Sequence, residues 1–427
     1  MGGPVLFVGD LHLGRRPPLP AERLAVAGVG PHALSAAAAW GNAVAYAIER
    51  GVRAVVLAGD VVDLDRDRFE AFGHLEAGAR ALLGAGIPLA AVVGNHDWDA
   101  LPRLAARLPA VRLLGEGGRW ERWAVPGDPP LEIVGWSFPD HTVEEDPSAD
   151  PGLADAVAGA APGARIVGVV HGDLDRPGSP YAPLDRRRLE NAGADAWLLG
   201  HIHTPDRLDG ARPLGYLGSL AALDPGEPGV HGAWELEAVP GGVRLRMVPL
   251  SPVRFETVDV VLDDARDADA VMDAVRAAAQ ARLGAEVRAA RPWLEAVVIR
   301  VRLRGRVGRR DGIAALLDSG TGFFHVAEVP CLVERIEDGT LPMVDLARLR
   351  EEPTPAGEIA RLLAVLEAGD IPPELLARAR RAVAPWLADK WSPPGAPAAP
   401  DLREALIEAA REALHLLLEH RRGENVP

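Results

Sequence analysis

Short, nearly unbroken apolar runs recur through the first 250 positions. Val5–Val8, Ala54–Ala58 and residues 89–93, 131–134, 166–170 and 197–199 are built almost wholly from Val, Ala, Leu and Ile. Runs of this length without polar alternation fit strands covered on both faces. Between them, residues 32–50, 66–83, 101–108 and 185–191 fit helices with one buried face. Gly51, Gly84 and Gly86 stand where such helices should end. Strand followed by helix, repeated, predicts an α/β fold with helices on the faces of a sheet.

The pattern changes at residues 249–252, which hold two prolines. Val253–Leu262 reads as a strand and residues 265–283 as an amphipathic helix. Residues 297–306 alternate strictly. Ile299, Val301 and Leu303 take one face of a strand, and Arg300, Arg302, Arg304 and Arg306 take the other. This predicts a small α+β domain. From residue 354 on the reading is helical, broken by a proline-rich link at 392–400. Leu402, Leu406, Ala409, Ala413, Leu414 and Leu417 form one helical stripe, able to pack on the body or on a partner. The expected domains are 1–250, 251–345 and 346–427.

Composition narrows the class. With 427 residues, 48% of them apolar, the chain can bury a sizeable core. Its single cysteine, Cys331, rules out a disulfide scaffold and favours a reducing cytoplasm. No apolar stretch reaches membrane-spanning length. Val5–Val8 runs straight into Gly9-Asp10 and reads as a core strand rather than a signal sequence. Leu6 stands where a myristoylation site needs Ser or Thr. A net charge of −15 argues against a broadly basic nucleic-acid coat. Lys390 is the one lysine, so the abundance of arginine reflects compositional bias.

Candidate chemistry sits where the early strands end. Asp10-Leu11-His12, Gly59-Asp60-Val61-Val62-Asp63, Gly94-Asn95-His96-Asp97, His171-Gly172-Asp173 and Gly200-His201-Ile202-His203 each follow an apolar run. In open α/β sheets ligands gather outside the carboxyl ends of the strands. Carboxylate, amide and imidazole suit Mn²⁺, Fe²⁺ or Zn²⁺. A shared carboxylate can hold two cations about 3.5–4 Å apart, enough to acidify a water and clamp an in-line phosphoryl displacement. Taken singly, each segment is an ordinary loop or turn; five in order are not. His32, His74, His141, His231, His325, His415 and His420 lack such neighbours and read as surface or core histidines.

The set Asp-x-His, Gly-Asp-x-x-Asp, Gly-Asn-His-Asp, His-Gly and Gly-His-x-His resembles the calcineurin-like binuclear metallophosphoesterases. The resemblance implies a β-sandwich flanked by helices. It puts Asp10, His12, Asp60 and His203 on one metal and Asp60, Asn95, His171 and His201 on the other. It implies that hydroxide attacks the phosphoester while His96 protonates the leaving oxygen and Asp63 orients His96. An imidazole is a natural donor for that proton. For Asp63 the alternative is a helix N-cap.

The wider layout is similar to SbcD-type DNA repair exonuclease subunits, closest to the YhaO-like bacterial branch. It is carried by Gly9-Asp10-Leu11-His12-Leu13-Gly14, Gly200-His201-Ile202-His203-Thr204-Pro205, Gly218-Ser219 and Leu250-Ser251-Pro252-Val253-Arg254-Phe255. The last run looks like the lead-in to a capping domain. The resemblance implies Mn²⁺-dependent cleavage of DNA phosphodiesters, 3′-to-5′ exonuclease with some endonuclease activity, homodimerisation and an SMC-like ATPase partner. Arg300, Arg302, Arg304 and Arg306 are the best DNA-contact candidates; the other reading of that face is a solvated surface paired with acids. Arg15 and Arg16 could reach a substrate phosphate. Arg186-Arg187-Arg188 reads as surface charge. The alternative substrate class is a small nucleotide or a phosphoprotein.

Overall fold

In the computed structural model the described residues are 2–63, 68–108, 110–262, 267–307, 311–319, 322–342, 346–387 and 402–423. The strands of the first 250 residues are β1 (Val5–Val8), β2 (Ala54–Ala58), β3 (Leu89–Val92), β4 (Val111–Leu113), β5 (Glu121–Val125), β6 (Leu131–Trp136), β7 (Arg165–His171), β8 (Ala196–Gly200), β9 (Leu214–Tyr216), β10 (Gly232–Val239) and β11 (Gly242–Pro249). They form one sheet of order β11-β10-β1-β2-β3-β4 and another of order β5-β6-β7-β8-β9. From β1 to β4 and from β6 to β9 neighbours run parallel. The β10–β11 hairpin and β5 close the sheets in antiparallel fashion.

Alternate residues of a strand face opposite ways, and in β1, β2, β3 and β8 both faces are apolar because both are covered. Phe7, Val56 and Val92 of the first sheet pack with Ile133, Val169 and Leu198 of the second in one cluster. Leu6, Leu57 and Ala91 point outward instead, into a cluster shared with the helices that follow β1 and β2. Those helices, with α1 (Ala21–Val26) before them, are α2 (Ala36–Arg50) and α3 (Arg68–Gly84). Ser35 caps α2, its hydroxyl accepting from the Ala38 N–H, and Gly51 closes it at φ 65°. The architecture is therefore mixed α/β with flanking helices, as the alternation of runs predicts, and its two facing sheets are what the family resemblance implies.

Beyond residue 250 come β12 (Val253–Leu262), α4 (Ala268–Ala290), β13 (Ala296–Val307), β14 (Phe323–Val326) and β15 (Val329–Asp338), a sheet of order β12-β13-β15-β14. Contacts divide the chain into two units. The first comprises Met1–Val258, Arg276–Val301 and Thr321–Arg335; the second comprises Asp259–Val275, Arg302–Gly320 and Ile336–Pro427. In the second, α5 (Pro355–Glu367) and α6 (Leu402–Gly423) bury Ala360, Leu363 and Leu366 with Ile407, Ala410 and Leu414. The buried face of α6 overlaps the expected stripe in part: Leu414 belongs to it and Leu406 packs against it, whereas Ala409 is exposed. Ile407, Ala410 and Leu414 stand at i, i+3 and i+7, so this second apolar face is also present in the sequence of α6. Among the described residues no helix is long and apolar enough to cross a membrane.

Cys331 lies buried on β15, where burial pushes its thiol up to about 12. A thiol reagent at pH 8 should leave the native protein unlabelled and label it once in denaturant. Rapid stoichiometric labelling of the native protein would show that this strand is not packed as described.

Candidate metal centre

The carboxyl ends of β1, β2 and β3 meet those of β7 and β8. Asp10 and His12 follow β1, Asp60 follows β2, Asn95 and His96 follow β3, His171 ends β7, and His201 and His203 follow β8. The approach is close because glycines line it. A Cβ on Gly94 would sit 2.2 Å from Asp60 Oδ1, and one on Gly59 would sit 2.6 Å from His171 Nδ1. Asp97, outside the predicted ligand set, ties two of these loops together. Its carboxylate accepts from the Val61 N–H at 2.7 Å and the Gly94 N–H at 2.8 Å.

Candidate ligand atoms form three groups within which all lie inside 4.8 Å of one another: Asp10, His12 and His203; His12, Asp60 and His96; Asp10, Asp60 and His171. Asp60 Oδ2 lies 3.4 Å from His171 Nε2 and 3.8 Å from His12 Nε2, so one carboxylate faces both sides of the centre. Asn95 Oδ1 is 3.0 Å from His171 Nε2, and His12 Nε2 is 3.0 Å from His203 Nε2. His201 lies beside them, its ring centroid 5.2 Å from that of His171, but it belongs to none of the three groups. His96 Nδ1 lies 3.4 Å from Asp63 Oδ1, and Asp63 Oδ2 lies 3.5 Å from Arg15 Nε. The N-cap alternative for Asp63 concerns residues 64–67, outside the described residues.

The backbone here is strained. Asp10, His12, Asp60 and His201 have φ of 31°, 46°, 47° and 105°. Such values are uncommon without a glycine and cost about 1–3 kcal/mol each. The electrostatics are equally costly. Burial raises the Asp10 carboxyl. Burial acts upward on Asp60 too, but His171, His12 and His96 outweigh it and hold Asp60 well below the usual range. Burial acts downward on His171, yet Asp60 and Asp10 bring it up to about 9. Burial and the neighbouring His171 lower His201 to about 4. The Asp63 contact raises His96.

This donor set fits divalent cations. Two buried carboxylates, an amide oxygen and imidazoles converge, with His12 Nε2 turned toward Asp60 and His203 and its Nδ1 turned away toward Asp63, 3.6 Å from Oδ1. Buried charge of this kind is retained where it is paired or holds a metal. Oxygen and imidazole donors match Mn²⁺, Fe²⁺ or Zn²⁺.

Other predicted residues lie at the rim or farther off. Arg15 stands at the rim through Asp63, and with Arg16 it lines a groove of about 520 Å³ beside His32, Glu70 and His74. Arg300 pairs with Glu334 at 2.6 Å, Arg302 with Glu337 at 3.3 Å and Arg304 with Asp259 at 3.4 Å. Arg306 is lowered by burial and by Arg411. His141, unremarkable in the sequence, places Nδ1 3.1 Å from the Asn95 carbonyl. Its own sequence neighbours give no sign of this. His231 is buried and bonded to Ser219, as a core histidine should be.

With this geometry in place, residues 3–205 match the calcineurin-like phosphoesterase family. Residues 3–205 are therefore a domain of the calcineurin-like metallophosphoesterase kind. The chain is 24% identical over 243 residues to the uncharacterized metallophosphoesterase YhaO of Bacillus subtilis (strain 168), covering 54% of this chain and 56% of that one. It is 30% identical over 283 residues to the DNA double-strand break repair protein Mre11 of Haloferax volcanii, covering 61% of this chain and 55% of that one. The chain thus spans a little over half the length of these curated relatives. A dimetal phosphatase from Danio rerio aligns with TM-score 0.37 and 13% identity over 55% of this chain and 92% of that one. TT1561 of Thermus thermophilus aligns with TM-score 0.34 and 13% identity over 58% of this chain and 99% of that one.

Proposed function

We propose that this protein is a two-metal phosphodiesterase that cleaves DNA, the nuclease subunit of a cytoplasmic repair complex. The observation that carries the two-metal part is the position of Asp60, one carboxylate between His12 and His171. Asp10, His12, Asp60 and His203 would hold one cation, and Asp60, Asn95, His171 and His201 the other. Mn²⁺ is the first choice, with Fe²⁺ or Zn²⁺ as alternatives. When bound, the cations supply charge neutralisation of the phosphate and acidify a water. His96 gives its proton to the leaving oxygen, and Asp63 orients the ring.

The choice of DNA rests on the sequence likeness to a protein named for double-strand break repair and on the long region after residue 250. That region is proposed as a capping domain (251–345) and a helical region (346–427), the place for an SMC-like ATPase partner. The catalytic domain is taken as 1–250 and the assembly as a homodimer. A second reading, hydrolysis of a small nucleotide or phosphoprotein, draws support from the three arginines of β13 that already face carboxylates.

The purified chain, loaded with Mn²⁺, should be screened on DNA ends, cyclic nucleotides and phosphopeptides. DNA cleavage at least about tenfold above the others is expected, about 1.4 kcal/mol of discrimination. Turnover of a cyclic nucleotide or phosphopeptide with none on DNA would replace the proposal by the second reading.

A further inference from the structure

His203 is held from behind. Its Nδ1 lies 2.6 Å from Glu227 Oε1, while its Nε2 faces the Asp10–His12 side, 3.0 Å from His12 Nε2. Glu227 is 24 residues away in sequence, on the loop between β9 and β10. It is not free to follow the ring, because its other oxygen accepts from the Leu223 N–H at 2.9 Å. The loop is itself pinned. The Ser219 N–H donates to the His203 carbonyl at 2.9 Å, the Leu220 N–H to the Gly9 carbonyl at 3.2 Å, and the Gly229 N–H to the Phe255 carbonyl at 2.9 Å. A carboxylate fixed at both oxygens, bonded to the far nitrogen of an imidazole, sets the ring's tautomer and angle.

We infer that Glu227 is a positioning residue of the metal centre, presenting the Nε2 lone pair of His203 to the cation shared with Asp10 and His12. This rests on the two-metal reading above. By contrast, His171 uses the Ala58 carbonyl, 3.1 Å from Nδ1, for the same purpose. Glu227 therefore acts on one side of the centre only. The effect of its loss should be confined to one of the two cations.

The test is a Mn²⁺ titration of the metal-free full-length chain, with free ion followed by electron paramagnetic resonance. The parent should bind two ions. Glu227→Gln should bind one with parental affinity and the other about 10–100-fold more weakly, with an unchanged circular dichroism spectrum. A parent that binds fewer than two ions overturns the two-metal reading and this inference with it. A parent that binds two while Glu227→Gln matches it, or weakens both sites alike, overturns this inference alone. Nitrogen NMR of the parent's histidine rings tests the same point without a variant. The His203 proton should be found on Nδ1, and a bare Nδ1 would overturn the inference.

Discussion

Replacing Asp60 with alanine should remove both cations together and lower kcat/KM on any phosphoester by at least about 10³-fold, about 4 kcal/mol of transition-state stabilisation. The size follows from the position of the residue. Asp60 Oδ2 faces His171 on one side and His12 on the other, the place a bridging group must occupy. Its Oδ1 also accepts from the His96 N–H at 2.9 Å, which fixes the loop carrying Asn95. Metal content after dialysis, measured by elemental analysis, decides the matter. An Asp60→Ala protein that kept two ions per chain would remove the ground for a binuclear centre.

Replacing His96 with alanine should have a different signature: both cations stay and turnover falls about 10²–10⁴-fold. His96 is partly exposed at the rim, with its Nε2 4.0 Å from Asp60 Oδ2, so its removal leaves the buried cluster standing. The Asp63 contact raises its pKa, which keeps it protonated in larger fraction at neutral pH than a free imidazole. The loss should shrink for esters whose leaving group departs without a proton, such as nitrophenyl phosphodiesters. Equal losses on nitrophenyl and alkyl esters, or a fully active variant, would refute the acid role.

Much of this is legible in the chain. β1, β2, β3 and β7 are apolar on both faces because both sheets are covered, so they announce themselves as runs. The candidate chemistry follows those runs directly, which makes Asp10, Asp60, Asn95 and His171 readable. The hairpin β10–β11 is not an unbroken apolar run: Trp234 and Leu236 alternate with Glu235 and Glu237, and Leu245 and Met247 with Arg244 and Arg246, so a reading built on unbroken runs passes over it. Glu227 carries no local signal, since its meaning depends on a loop folding back to His203. The arginine face of β13 is readable as one side of a strand. Which acids meet it depends on sheet register, and a periodicity argument does not contain register.

The positive φ angles at Asp10, His12 and Asp60 have a consequence for directed evolution. A library selected for heat resistance in chelator should enrich glycine first at His12, relieving backbone strain, and more slowly at Asp10 and Asp60, whose carboxylates also accept the His201 and His96 N–H groups. Each round would make a sturdier and less useful molecule. Selection in the presence of divalent ion reverses the gradient, because the bound ion then rewards the contorted chain.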